Sequence, residues 1–242
     1  MTADAPLQRV LRQFPELGAV VGATDRLAAY AALLAGYERA NVTGARGPEG
    51  VADLVGDALG LLDVDEAAGR ATAAWADLGT GGGLPGIPLA LALPRLEVTL
   101  IEAVAKKCAF LDEAVAATGL GERVIVCRGR SEDLAQVGAP LRARFAVVLA
   151  KAVGSLAVVV ELAAPLLAPG GLLLASKTAS AAAAEAAGGE AAGAACGLAP
   201  HRVAPLPRSP LPGSVCVVFE KLDDTPDRFP RRPGIAAKRP LG

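Results

Sequence analysis

Residues 76–102, ADLGTGGGLPGIPLALALPRLEVTLIE, set an acid, a cluster of glycines and a second acid at spacings that suit a nucleotide-shaped ligand. Asp77 closes a short apolar run, Gly79, Gly81, Gly82 and Gly83 follow it, and Glu102 ends the next apolar run. Glycine has no Cβ, so the chain can bend sharply here and approach a ligand, with N–H groups at the start of the following helix facing it. Glu102 falls roughly 20 residues past the turn, at the tip of the next strand, where a carboxylate accepts both hydroxyls of an adenosine ribose. Asp77 either fixes the turn or faces the positive end of the cofactor. A glycine match of this kind counts only between a strand and a helix, and that context is present, so an adenosine-based cofactor is expected.

The elements that must hold these residues alternate from Trp75 onward. Strands are predicted near 73–78, 97–102, 123–128, 145–151 and 171–176, with helices near 85–93, 104–118, 131–137 and 154–167. That alternation is the signature of an α/β fold, a mostly parallel sheet with helices on both faces. Residues 179–199 read as a helix weakened by Gly188 and Gly189, and 215–221 as a late strand pairing antiparallel with its predecessor near 199–206. Ahead of the sheet, helices are predicted over 5–18, 24–40 and 48–62, the second capped by Thr24 or Asp25 and with Tyr30 and Tyr37 on its core face.

The chain has 242 residues and a formal net charge of −1, with a mean hydropathy of +0.42. The apolar excess is mostly alanine, and Lys151, Glu161, Pro165 and Pro169 interrupt the longest apolar stretch, so no membrane span is expected. The N-terminus lacks a signal-peptide pattern, and a cytoplasmic protein is expected. Cys108, Cys127, Cys196 and Cys216 show no metal or disulfide spacing. One histidine, His201, leaves little support for histidine-based triads or metal sites. After Asp227 the tail carries Arg228, Arg231, Arg232, Lys238 and Arg239 with no acid, a basic arm suited to phosphates.

Gly81, Gly83 and Gly86 also spell G-x-G-x-x-G, which makes an NAD(P)-dependent oxidoreductase a competing reading. Pro85 and Pro88 count against it, because proline removes N–H donors where a dinucleotide-binding helix opens. S-adenosyl-L-methionine accounts for the same cradle with fewer demands, since methyl displacement from a sulfonium needs alignment more than an acid or base.

DLGTGGGLPGIPLA (77–90), VTLIEAVAKKCAFLDE (98–113), GRSED (129–133), AKAVGSL (150–156), LLAPGGLLLASK (166–177) and PRRPGIAAKRPL (230–241) follow in one order. Together they resemble the RsmG family, also called GidB, the bacterial 16S ribosomal RNA guanine-N7 methyltransferases. The resemblance implies a class I, Rossmann-like methyltransferase with a mostly parallel seven-stranded sheet. It also implies a helical N-terminal extension (1–70), an S-adenosylmethionine-binding domain (71–223) and a basic tail (224–242). The expected substrate is N7 of a guanosine in 16S rRNA, within the small ribosomal subunit or a precursor, and the expected state is a monomer.

Carried over by resemblance, Gly79 and Leu84 match the cofactor turn, Ser131 and Glu132 the adenine side, and Lys151 the cofactor-site arginine, as both a binding and a catalytic residue. Asp77, Gly81, Gly83 and Glu102 complete the expected cofactor set, and Arg228, Arg231, Arg232, Lys238 and Arg239 the RNA-binding set. The chain departs from the family's H-x-x-D-S run, where LVGDAL supplies Leu54, Asp57 and Ala58, and from its S-R-A-V, where AKAV stands. Those departures motivate a second reading, a non-catalytic rRNA- or ribosome-binding protein that keeps the fold.

Overall fold

The computed structural model describes residues 5–45 and 47–242. Its N-terminal part is helical: α1 (Ala5–Leu11), α2 (Ala23–Gly36), α3 (Gly47–Gly60) and α4 (Asp65–Ala68). The single helix expected over 5–18 is broken, because Pro15 lacks an N–H and cannot continue it; a separate 3-10 turn, Pro15–Ala19, follows instead. Gly22, in the left-handed region at φ +68°, precedes α2, so Thr24 and Asp25 lie inside the first turn and do not cap it.

The remaining elements alternate as β1 (Ala74–Leu78), α5 (Gly86–Ala92), β2 (Glu97–Glu102), α6 (Ala105–Thr118), β3 (Val124–Arg128), α7 (Ser131–Leu134), β4 (Phe145–Lys151) and α8 (Leu156–Ala163). Then come β5 (Leu167–Thr178), α9 (Ala179–Cys196), β6 (Arg202–Pro205), β7 (Ser214–Glu220) and α10 (Ile235–Lys238). The strands form one seven-stranded sheet in the order β3-β2-β1-β4-β5-β7-β6. β1 to β5 run parallel, and the chain order reverses on either side of β1. β7 pairs antiparallel with β6, as expected, and also slots antiparallel against β5. VCVVF in β7 is apolar on both faces and buried, so it needs a neighbour on each side, whereas β6, with Pro205 and mostly exposed residues, tolerates the edge.

Alternating residues of each strand feed two cores. Val147 and Leu149 of β4 join Trp75, Leu100 and Leu174 beneath α1, α2, α3, α5 and α6, while Val148 and Ala150 join the opposite core under α8 and α9. The N-terminal helices therefore share a core with the sheet and have none of their own. The tail belongs to the second core through Phe229 and Ala236. No helix among the described residues is long and apolar enough to cross a membrane, and all four cysteines are free thiols.

α9 is continuous across its glycines, capped by Thr178, whose hydroxyl accepts from the Ala181 amide. Gly189 is there for contact: a Cβ would stand 3.0 Å from Leu156 Cβ and 3.4 Å from the Phe219 ring. At Gly188 the nearest atom would be Ala157 Cβ at an ordinary 3.7 Å. Gly188→Ala is thus expected to stabilise the protein by about 0.5–1 kcal/mol through helix propensity. Gly189→Ala is expected to gain nothing or lose stability, and paired urea unfolding curves test the difference.

Candidate functional site

The turn after β1 is held from three sides. Asp77, fully buried, accepts at Oδ2 from Thr80 Oγ1 at 2.6 Å and from the Gly86 amide at 2.8 Å, pinning both ends of the bend. Its Oδ1 is buried without a hydrogen-bond partner among the described residues. Burial pushes the Asp77 carboxyl up to about 6, with the Thr80 and Gly86 bonds and the Lys151 charge opposing the rise. On the second side, the Glu102 carboxylate accepts from the Gly81 amide at 3.1 Å and the Val104 amide at 2.8 Å, joining the turn to the start of α6. On the third, the buried Tyr30 of α2 donates its hydroxyl to the Gly82 carbonyl at 2.5 Å. Burial first, then the nearby Asp77 charge, pushes the Tyr30 phenol well above its ordinary value, so it remains a donor.

The glycines divide by role. Gly79 is exposed and Gly81 half-buried, both with positive φ and both lining a cleft. Gly83 is buried, and a Cβ there would come within 2.4 Å of Ile87 Cδ1. Gly83, expected to contact the cofactor, is therefore placed as a packing position under α5. The cleft holds about 500 Å³, with the turn residues Gly79–Gly82 and Leu84 forming one wall, Val42–Ala45 and Leu54 the other, and Lys107 and Lys151 also among its lining residues.

The expected cofactor residues fall along the carboxyl ends of four neighbouring strands. Ser131 and Glu132 open α7 just after β3, Glu102 ends β2, the glycine turn follows β1, and Lys151 ends β4. Those strands are adjacent in the order β3-β2-β1-β4, a span of roughly 15 Å at ordinary strand spacing. The reversal of chain order at β1 is where open α/β sheets bind ligands.

Glu132 is buried, and its Oε1 accepts from the Gly234 amide of the tail at 2.9 Å. The tail is thus no loose arm. Arg231, expected to contact RNA, instead grips the buried Glu161 of α8, its Nε 2.8 Å from Oε1 and its Nη2 2.5 Å from Oε2. Its guanidinium anchors the tail. Arg228, Arg232, Lys238 and Arg239 are exposed, and no salt bridge to them is found among the described residues.

One residue outside the expected set also stands beside Lys151. Asp57 of α3, read as part of a departure from a family motif, meets Lys151 in an ion pair of 2.5 Å. Burial raises the Asp57 carboxyl, but the Lys151 charge and hydrogen bond with the Ser209 and Ser214 hydroxyls outweigh it and hold the group below its ordinary value. Only an acid on a helical face signalled it in the sequence.

A dinucleotide does not suit this cradle. In the first turn of α5, the Gly86 amide is taken by Asp77, the Ile87 amide by the Gly83 carbonyl at 2.8 Å and the Leu89 amide by the Pro85 carbonyl at 3.2 Å, while Pro88 has none. The helix-start amides expected to face a ligand point into the protein, leaving no donor there for a pyrophosphate. Glu102 fits a ribose, since a carboxylate offers about four acceptor directions and two are occupied.

The sheet order, the cradle at the β1 reversal and the acid ending β2 define a class I, Rossmann-like methyltransferase fold. Residues 23–207 match the family model GidB, rRNA small subunit methyltransferase G, and the chain belongs to that family. A ribosomal RNA small subunit methyltransferase G from Rubrobacter xylanophilus is 43% identical over 88% of this chain and 81% of its own. One from Limosilactobacillus reuteri is 35% identical over 68% of each. Among solved structures, mitomycin 7-O-methyltransferase MmcR shares the fold at a TM-score of 0.55 and 17% identity, over 72% of this chain and 56% of that one.

Asp77 gives the site a pH signature. Its folded value, about 6, lies above its unfolded value, 3.8, so its contribution to stability is complete below the lower value and is lost as pH rises through the upper. Asp77→Asn removes that dependence. Between about pH 4 and pH 7, stability of the variant relative to the parent is expected to improve by on the order of 3 kcal/mol, read from urea unfolding.

Proposed function

We propose that this protein transfers a methyl group from S-adenosyl-L-methionine to N7 of a guanosine in 16S rRNA. The observation that carries the reading is the ordering of polar groups along four adjacent strand ends: an acid-bearing helix start, a buried acid, a glycine turn and a lysine. That sequence of groups suits an adenine, a ribose and an amino-acid arm laid across the sheet edge. The family's relatives, which bear the name of small-subunit rRNA methyltransferases, support small-subunit rRNA as the substrate.

When bound, the sulfonium supplies an electrophilic methyl group. The chain's own residues then bind and orient. Glu102 would use its remaining lone pairs on the ribose hydroxyls, Ser131 and Glu132 would stand at the adenine side, and Gly79, Gly81 and Leu84 would hold the methionine end. Guanine N7 presents an in-plane lone pair and no proton, so no general base is required. Asp77 is engaged at the turn and His201 lies in the strand order's far edge region, at the approach to β6, which agrees with chemistry that moves no proton.

The decisive experiment incubates the protein with labelled S-adenosylmethionine and unmethylated small-subunit particles or rRNA, then digests to nucleosides. Label in 7-methylguanosine is expected, and label on another base overturns the substrate. Glu102→Ala is expected to weaken S-adenosylhomocysteine binding by about 10- to 100-fold, because each hydrogen bond to a charged group contributes roughly 1.5–3 kcal/mol. Calorimetric titration measures this, and NADH is expected to give no thermal shift where S-adenosylhomocysteine gives one.

The exposed tail cations are expected to act on phosphates. Replacing Arg232, Lys238 and Arg239 together with Gln should lower the slope of log affinity against log salt by about 2 to 3. An unchanged slope in filter-binding assays places the RNA contacts elsewhere.

A further inference from the structure

Asp57 receives three side chains that reach it from distant parts of the chain. Its Oδ2 accepts from Lys151 Nζ at 2.5 Å, and its Oδ1 accepts from Ser209 Oγ and Ser214 Oγ, each at 2.7 Å. The Asp57 side chain is 5% exposed and that of Lys151 15%. Helix α3, the end of β4, the loop before β7 and the first residue of β7 are thereby tied at one carboxylate.

An ammonium carries three N–H donors. Asp57 is the one hydrogen-bond acceptor found for Lys151 among the described residues, and Lys151 borders the cleft beside Gly79–Gly82. Two donors are left for whatever enters the cleft, and a partly buried donor without a partner is costly. A lone cation would also oppose both a sulfonium and a base that becomes cationic on methylation. With Asp57 attached, the pair is neutral as a whole.

Resting on the reading as a guanine-N7 methyltransferase, we propose that Asp57 is a positioning residue that holds Lys151 so that its ammonium donates to O6 of the acceptor guanine and leaves N7 uncovered. The Hoogsteen edge of guanine offers two acceptors, O6 and N7, whereas adenine offers an amino group beside N7. A lysine can only donate, so it attracts O6 and rejects the adenine amine. Arginine and an unrestrained lysine can each cover O6 and N7 together; the hydrogen bond to Asp57 fixes the direction of the Lys151 ammonium, so that it reaches O6 and not N7. The step balances without a proton. The N7 lone pair forms the bond to the methyl carbon, the carbon–sulfur pair stays on sulfur as a thioether, and the positive charge passes from sulfur to the base.

The test combines variants of the full chain with an altered substrate. Asp57→Asn and Lys151→Met are each expected to slow single-turnover methyl transfer at saturating cofactor by roughly 100-fold, the scale of a misplaced contact. Lys151 is also an expected cofactor contact, so each variant is saturated with cofactor afresh, and the double variant should be no slower than the worse single one, as for groups acting as a unit. Ser214→Ala, which keeps the ion pair, should lose less than about 10-fold, and it remains informative if Asp57→Asn fails to fold. Small-subunit rRNA carrying 2-aminopurine at the methylated position keeps N7 but lacks O6. The parent should methylate it roughly 100-fold more slowly than guanine, while Lys151→Met should not distinguish the two.

Multiplying losses in the double variant, or equal transfer to both bases by the parent, would each overturn the proposal. A parent that methylates no guanine N7 refutes the proposed function itself, which is a separate result.

Discussion

One carboxylate oxygen, Asp77 Oδ2, takes hydrogens from the Thr80 hydroxyl and the Gly86 amide, and so dictates where the backbone goes after β1. Residues three and nine places downstream must return to the same atom, which forces a tight bend. Gly86 has to be glycine, since a Cβ would stand 2.9 Å from that oxygen and 2.7 Å from Leu100 Cδ2. With Gly86 fixed, α5 can start only there and bury its whole length against β2 and the N-terminal helices. Placing a carboxylate in the core is costly, and the orphaned Oδ1 shows that the cost is only partly offset.

The N-terminal helices complete the site from above. Leu34 and the Val42 carbonyl lie so close to Gly82 that a Cβ would be 2.8 and 3.0 Å from them, and Tyr30 bonds its carbonyl. Because these helices share the core beneath α5 and α6, the loop that forms the second wall of the cleft is anchored on packed apolar surface through Val42. Its geometry follows from the same burial that stabilises the fold, at roughly 25 cal/mol per Å². A change in helix packing at Leu27 or Leu34 would therefore be transmitted to the turn.

Much of the fold was legible because it depends on local periodicity. The β1-turn-α5-β2 unit reads directly from two apolar runs, a glycine cluster and a terminal acid, and Pro15 could have been recognised as a helix stop. The place of β7 between β5 and β6 was not legible, because it depends on which strand can tolerate an edge. At the site, Glu102 could be read from its position after a strand. Asp57 and the Tyr30 hydroxyl could not, since their partners lie 94 and 52 residues away. Arg231 misled for the same reason: in a basic tail its charge suggests phosphate, and only the fold brings Glu161, 70 residues distant, to its guanidinium. A residue's type indicates its chemistry, but a long-range partner decides whether that chemistry faces the ligand or the protein.

Two of the partly enclosed ion pairs, Arg231–Glu161 and Lys151–Asp57, bear on function beyond their energies. Desolvating two charges offsets most of their attraction, so an apolar pair of similar volume often serves stability as well. What an ion pair adds is a fixed place for a charge. Arg231 fixes the tail against α8, so Arg232, Lys238 and Arg239 are carried on a docked segment. On the proposed function, RNA would meet those cations with less ordering still to be done, which lowers the entropic cost of association. Asp57 does the corresponding task for Lys151 in the cleft. On the proposed function, Lys151 would face the acceptor base and the docked tail cations its backbone, an arrangement that serves a polyanion better than a small neutral substrate.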